Sequence, residues 1–471
     1  MTFVAFINGI VMMAMSALMA LTAVLFPGTA LEFTEGFVLT GFLGTVVTIA
    51  SAHPRLDLRP RHIFPLTASV WLLAALCGAL PLYLWQMTGP DAFFEAMSGI
   101  TTTGSTVMSG LDRTPKGILF WRALLQALGG IGFVVTGVAL LPVLKVGGMQ
   151  LFRTESSELG EKELANAARF ALATLVVYGA LMGGCFLAYI VGGMSVFDAI
   201  VHAMTTLSTG GYSNYDASFG HFDSAFLQYA ATLFMLLGGL PFAWYIRAIL
   251  KRRYSSEQIG RYLQFLAGVI ALLTLWLVVT SHLPVEVAFR QVAFNVVSVV
   301  TTTGFATVDY TAWGSFAVAV FFAITAVGGC TGSTSGGAKM MRWVVFFRTA
   351  RQEIRRIRLP HVVGVARYDG RPIGADVVAG VTTFFTLYFG TVFALAIALN
   401  LIGLDFLTAL SGALTAVANV GPGVGGIIGP AGNFAPLGDG AKMLISGGMY
   451  LGRLELMTVL VMLTPAYWRA F

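Results

Sequence analysis

This sequence is poor in charge. Only 11% of its 471 residues are charged and 57% are apolar, with mean hydropathy +0.81. A soluble domain carries charge at about a quarter of its positions, so a solvated surface around a single core is excluded. Cysteine is also sparse. Cys77, Cys185 and Cys330 lie far apart in apolar or Gly-rich sequence, which excludes a disulfide framework and a cysteine-based metal site. The six histidines are scattered, without a His-Glu-x-x-His. No nucleophile, carboxylate pair or metal cluster stands within the apolar stretches, so an enzyme is not expected.

Long apolar runs fill the space that charge leaves. A bilayer core needs roughly 20 apolar residues per helical span. Candidates are Phe64–Tyr83, Ile118–Leu144, Phe170–Val191, Phe226–Ile249, Leu263–Val279, Phe316–Ala326, Val377–Leu401 and Met443–Leu463. Phe3–Phe26 lacks the basic start of a signal peptide and leads into Phe37–Ala50, so a retained helical hairpin is expected.

The net charge of +6 sits in short segments between these runs. It points to membrane lipid headgroups and membrane orientation, not to nucleic acid. Basic clusters are Arg55, Arg59, Arg61; Lys145, Arg153, Lys162, Arg169; Arg247, Lys251, Arg252, Arg253, Arg261; and Lys339, Arg342, Arg348, Arg351, Arg355, Arg356, Arg358, Arg367, Arg371. The alternate connections are richer in Asp. With every basic cluster cytoplasmic, both termini are expected in the cytoplasm.

Four segments repeat one pattern, an apolar stretch followed by Thr, Ser or Asn and then Gly. They are Thr101-Thr102-Thr103-Gly104, Leu207-Ser208-Thr209-Gly210-Gly211-Tyr212, Thr301-Thr302-Thr303-Gly304-Phe305 and Ala418-Asn419-Val420-Gly421-Pro422. Asp91 lies 13 residues before Gly104 and Asp198 lies 13 before Gly211, which selects Gly211 over Gly210 as the matching glycine. Each repeat is about one hundred residues, enough for two spans with a short re-entrant hairpin between them.

Irregular backbone at membrane depth must be buried in protein or line water. Each motif is therefore expected to be a half-helix followed by a loop. The C-terminal end of a half-helix carries about half a negative charge, and four such ends aimed at one point suit a cation. Glycine lets four backbones approach, while carbonyl and hydroxyl oxygens replace the hydration shell of a K⁺-type ion. No loop core carries Asp or Glu, which would hold divalent ions. One such motif alone would read as a helix break; four on one side of the membrane read as a filter.

At these motifs the chain resembles the TrkH family of bacterial potassium uptake proteins, within the Trk/Ktr/HKT superfamily. The resemblance extends to Phe120-Trp121-Arg122-Ala123-Leu124, Leu128-Gly129-Gly130-Ile131-Gly132, Val146-Gly147-Gly148-Met149-Gln150-Leu151-Phe152-Arg153, the run Gly328–Gly337 and Gly452-Arg453-Leu454-Glu455-Leu456. It implies an all-α polytopic protein of four M1–pore helix–M2 repeats around a central pore, with an N-terminal hairpin. The expected division is 1–60 hairpin, 61–145 repeat 1, 162–253 repeat 2, 261–348 repeat 3, 349–373 basic linker and 374–471 repeat 4. The implied filter residues are Thr102, Thr103, Gly104, Thr209, Gly210, Gly211, Thr302, Thr303, Gly304, Asn419, Val420 and Gly421, with K⁺ as the ion held there. The fourth loop departs from Thr-x-Gly by its Asn419. The resemblance further implies the bacterial inner membrane, a homodimer, and a cytosolic nucleotide-binding TrkA-type subunit. That subunit would be the only route for a nucleotide, and no covalent cofactor is expected.

Glycines cost about 1 kcal/mol each inside a helix, so the third M2 helix is expected to break at Gly328, Gly329, Thr331, Gly332, Ser333, Thr334, Ser335, Gly336 and Gly337. A linker would have this composition too; its position at membrane depth favours a gating loop below the filter. Its lack of a Gly-Lys-Ser/Thr ending excludes a phosphate loop. Arg453, inside the last span, needs a water-filled cavity or a partner such as Glu455; the family reading is a positive charge lining the pore beside the gate. Arg122, near an outer helix end, has the reach to snorkel and is assigned no functional role. The competing reading is a transporter of another small solute coupled to H⁺ or Na⁺, which would show inverted repeats.

Overall fold

The computed structural model describes residues 2–52, 62–139, 163–252, 254–359 and 365–469. Outside them lie Arg55, Arg59, Arg61, Lys145, Arg153, Lys162 and Arg253 of the basic clusters, and the Val146–Arg153 stretch.

Helices Thr2–Leu25 and Ala30–Ser51 form the N-terminal hairpin. Small residues let them touch: a Cβ on Gly44 would stand 2.8 Å from the Cβ of Met12. Four repeats follow. Their outer helices are Ile63–Trp85, Glu163–Val191, Glu257–Ser281 and Ala375–Leu401. Their pore helices are Gly89–Ile100, Val196–Leu207, Val285–Val300 and Phe406–Ala418.

Pore helices start where the chain supplies a cap. Thr88, Ser195 and Asp405 accept from the backbone N–H three residues on, at 3.4, 3.1 and 3.0 Å. In the first two, the Asp91 and Asp198 carboxylates bond back to the capping hydroxyl, a variant of the capping box. Pro284 precedes the third.

The second and fourth inner helices depart from the single spans expected, while the third breaks where its glycines placed the break. Among the described residues the first, Lys116–Ala139, runs without a break. The second turns by 88° between Ala225–Gly238 and Phe242–Lys251, where Gly239 disfavours helix and Pro241 has no N–H to donate. The third is interrupted between Ser315–Thr325 and Met340–Arg358. The fourth stops at Asp439–Arg453 and resumes at Met457–Met462, with Glu455 between them at φ 57°.

Among the described residues seven helices are long and apolar enough to cross a bilayer, or eight if the bent pair is one span. The chain is a multi-span membrane protein. Buried apolar side chains fall into two clusters. One joins the hairpin to repeats 1 and 4, through Met19, Trp121, Phe384 and Met449. The other joins repeats 2 and 3, through Tyr189, Tyr262, Phe294 and Phe321.

Candidate functional site

All four pore helices end in the same turn. The N–H groups of Thr103, Gly210, Thr303 and Val420 reach back to the carbonyls of Ser98, Thr205, Ser298 and Thr415 at 2.8–3.0 Å. Those of Thr102, Thr209, Thr302 and Asn419 reach Gly99, Thr206, Val299 and Ala416 at 3.0–3.2 Å. This is the Schellman pattern, whose left-handed residue is usually glycine. Here it is Thr102, Thr209, Thr302 and Asn419, at φ 52, 52, 60 and 55°. A β-branched residue in that region is held there by its surroundings at a cost of roughly 1–3 kcal/mol.

Two residues further along stand Gly104, Gly211, Gly304 and Gly421, so the equivalent glycine of repeat 2 is Gly211. The four close a ring. A Cβ on Gly104 would strike the carbonyl of Gly210, and one on Gly211 that of Thr303. One on Gly304 would lie 2.9 Å from Gly421 N, and one on Gly421 would lie 3.1 Å from Gly104 O. Each glycine thus occupies the place where the next backbone passes.

The loops are buried, yet no donor among the described residues reaches the carbonyls of Thr102, Thr103, Thr302, Thr303, Asn419 or Val420. Buried carbonyls normally have partners. The hydroxyls of Thr103 and Thr303 are each tied at 2.8 Å to those of Thr101 and Thr301, so main-chain oxygens dominate what the ring can offer. A cavity of about 540 Å³ opens onto all four ring glycines.

Polar side chains behind the ring staple each pore helix to its own ascending loop, in repeats 1 to 3 from the residue seven before the left-handed one. Glu95 accepts from Thr106 Oγ1 and Val107 N, both at 2.9 Å. His202 Nε2 pairs with Ser213 Oγ at 3.0 Å, and Asn295 donates to Thr307 Oγ1 at 2.9 Å. In repeat 4 that position is Gly412, and neighbouring Ser411 binds the Val424 carbonyl at 3.1 Å instead.

Arg122 does not snorkel. It is 1% exposed, and its Nε donates to Glu95 at 2.8 Å. Its Nη1 donates to the Ser213 carbonyl at 3.1 Å, and its guanidinium lies 4.0 Å from the centre of the Tyr212 ring. Gln126, one turn on, holds Gly210 O at 2.7 Å and Tyr212 N at 3.1 Å.

The Gly328–Gly337 run lies in a buried, irregular segment between Thr325 and Met340, against the pore-helix ends. Gly336 N donates to Thr302 Oγ1 at 2.7 Å, and the Thr334 hydroxyl donates to Leu207 O and Gly238 O, each at 3.0 Å. The segment is also knitted into the bend of the second inner helix. Cys330 N donates to Gly239 O at 3.0 Å and Phe242 N to Gly332 O at 2.9 Å.

Arg453 donates to Thr334 O at 3.1 Å and Gly129 O at 3.2 Å, and its guanidinium lies 4.1 Å from the Phe133 ring centre. Glu455 is not its partner; Glu455 pairs with Arg342 at 2.6 Å. Lys339 and Arg342, grouped with the cytoplasmic basic cluster on sequence, are both buried here, with Lys339 Nζ donating to Ser335 O.

All twelve residues expected at the ring therefore come together, with the glycine-rich segment and Arg453 beside them. Glu95, Arg122, Gln126, His202, Asn295 and Lys339 were missed. The register that aligns Asp91 with Asp198 also aligns Glu95 with His202, a polar position inside an apolar half-helix, and that signal could have found these two.

A family model described as TrkH, a cation transport protein, matches residues 30–469. The Trk system potassium uptake protein TrkI of Halomonas elongata is 47% identical over 446 residues, covering 93% of this chain and 90% of that protein. The Trk system potassium uptake protein TrkH of Escherichia coli K12 is 33% identical over 455 residues, covering 94% and 93%. The crystal structure of the potassium transporter TrkH from Vibrio parahaemolyticus matches with a TM-score of 0.91 at 31% identity, covering 99% of both chains. With its four pore-helix turns, its ring of glycines and these likenesses along nearly its whole length, the chain belongs to the TrkH family of cation transport proteins.

Proposed function

We propose that the protein takes up K⁺ across the bacterial inner membrane, using the four-loop ring as a selectivity filter. The observation that carries this is the closed ring of Gly104, Gly211, Gly304 and Gly421 beside carbonyls that lack donors. A dehydrated monovalent cation supplies what those oxygens lack, and the four half-helix ends add partial negative charge. The relatives' description as potassium uptake proteins favours K⁺ over Na⁺.

In this reading the Gly328–Gly337 segment is the gate. It sits against the ends of the second and third pore helices, and Arg453 holds its Thr334 carbonyl. A fixed positive charge there opposes a passing cation, and more strongly where the dielectric constant is low. The exposed basic residues from Arg351 to Arg371 face the cytoplasm with both termini, beside a nucleotide-binding TrkA-type partner, and the protein works as a homodimer. It performs no chemistry on its cargo.

The test is flux of ⁸⁶Rb⁺ or K⁺ into liposomes holding the purified protein. K⁺ should compete well and Na⁺ poorly. Equal competition by both ions sinks the K⁺ reading, and flux that requires an H⁺ or Na⁺ gradient points to a coupled transporter.

A further inference from the structure

We propose that the buried Glu95–Arg122 pair is the positioning element that sets which cation the ring prefers. It does so by fixing the spacing of the first and second loops. This rests on the reading of the ring as a filter.

The four seams of the ring are not built alike. Loops 2 and 3 meet through backbone, with Gly220 N donating to Ala306 O at 3.0 Å. Loops 3 and 4 meet at Gly304 and Gly421. Loops 4 and 1 share neutral bonds, Ser105 Oγ to Gly421 O at 2.8 Å and Asn419 Nδ2 to Thr103 Oγ1 at 3.0 Å. Repeats 4 and 1 also share the Lys442–Asp91 pair at 2.6 Å, at the start of the first pore helix. The Glu95–Arg122 pair of repeat 1 instead sits directly behind the ring and reaches across to loop 2 through Arg122.

At the seam between loops 1 and 2, Arg122 is the hub. On the loop 1 side it binds Glu95 at 2.8 Å and Thr106 Oγ1 at 3.2 Å. On the loop 2 side it binds the Ser213 carbonyl at 3.1 Å and stacks on Tyr212. Tyr212 closes the circuit, its hydroxyl donating to the Glu95 carbonyl at 2.8 Å. A guanidinium presents donors in a rigid planar fork, which an ammonium cannot copy. The pair therefore fixes a distance between two backbones. Held apart, the carbonyls suit the larger ion; released, they can close on the smaller one.

The experiment is competition of K⁺ and Na⁺ against ⁸⁶Rb⁺ influx in proteoliposomes. It is paired with K⁺ and Na⁺ protection of the same protein against thermal unfolding in detergent. Arg122→Lys keeps the charge and loses the fork; it should lower the K⁺/Na⁺ ratio about tenfold in both assays, the loss of one charge-assisted hydrogen bond's worth of discrimination. The paired variant Glu95→Gln with Arg122→Gln leaves no lone buried charge and should show the same loss. Tyr212→Phe deletes one hydroxyl, keeps the test open where the charge variants do not fold, and should lower the ratio severalfold. Exposed Arg261→Gln, on an outer helix, should keep the parental ratio.

A parental ratio in those of the three ring variants that fold overturns the proposal. Gly104→Ser separates the two readings. If it shifts the ratio while the Arg122 and Tyr212 variants do not, only the positioning role fails; if it leaves the ratio parental too, the filter reading fails.

Discussion

The hydroxyl of Thr302 accepts a hydrogen bond from Gly336 N at 2.7 Å, so the end of the third pore helix is joined directly to the glycine-rich segment. Thr302→Val keeps the β-branched shape and removes the acceptor. A buried N–H left unpaired costs about 1–3 kcal/mol, and that cost falls on the closed arrangement alone if the segment leaves this site on opening. Basal ⁸⁶Rb⁺ flux without a cytosolic partner should rise roughly tenfold, and Thr302→Ser should restore the parental level. A flux unmoved by Thr302→Val would show that this bond does not hold the pore shut.

Gly104→Ser should weaken the preference for K⁺. Its Cβ would collide with the Gly210 carbonyl, and its φ of 86° is one that side chains avoid. The ring must open or distort to admit it. A measurable fall in the K⁺/Na⁺ competition ratio is expected. A folded variant with an unchanged ratio places the filter elsewhere.

Arg453→Ala and deletion of Gly332–Ser335 should both raise flux and reduce its dependence on the cytosolic partner. The first removes the donors to Thr334 O and Gly129 O, together with a buried positive charge. The second removes the part of the segment that touches Leu207 and Gly238. If both proteins fold and bind K⁺ but conduct no faster than the parent, the segment is a packing element.

Arg355 is exposed on the helix that leaves the glycine-rich segment. A cysteine introduced as Arg355→Cys should react with a membrane-impermeant maleimide only from the cytoplasmic side. Reaction in intact cells, from outside, would invert the topology.

The ring was legible because its pattern recurs four times, and because glycine at a crowded point leaves a mark in the sequence itself. Even the choice of Gly211 followed from counting back to Asp198, whose carboxylate the structure shows bonded to the capping Ser195 hydroxyl. The unbroken appearance of the second inner helix was misleading, although Gly238-Gly239-Leu240-Pro241 held the cue for its bend. The stop after Arg453 had no such cue; there Glu455 turns at φ 57° with its carboxylate 2.6 Å from Arg342, which is 113 positions away. The role of Arg122 was not legible for a similar reason. Hydropathy weighs residues one at a time, and the meaning of an arginine depends on a carboxylate that only folding brings near. Lys339 and Arg342 were grouped with their exposed neighbours because a basic run does not show where the membrane ends.

The four loops of the ring are encoded separately within one chain. A single codon change therefore alters one quarter of the ring, whereas in an assembly of four identical subunits it would alter every quarter at once. A substitution worth about 1 kcal/mol shifts ion preference roughly fivefold when it falls in one loop, and repeating it in four loops that touch one another would add couplings between them to the sum. Selectivity in such a chain can be adjusted in small steps, and loops as different as Thr102-Thr103-Gly104 and Asn419-Val420-Gly421 can drift apart while the ring between them stays closed.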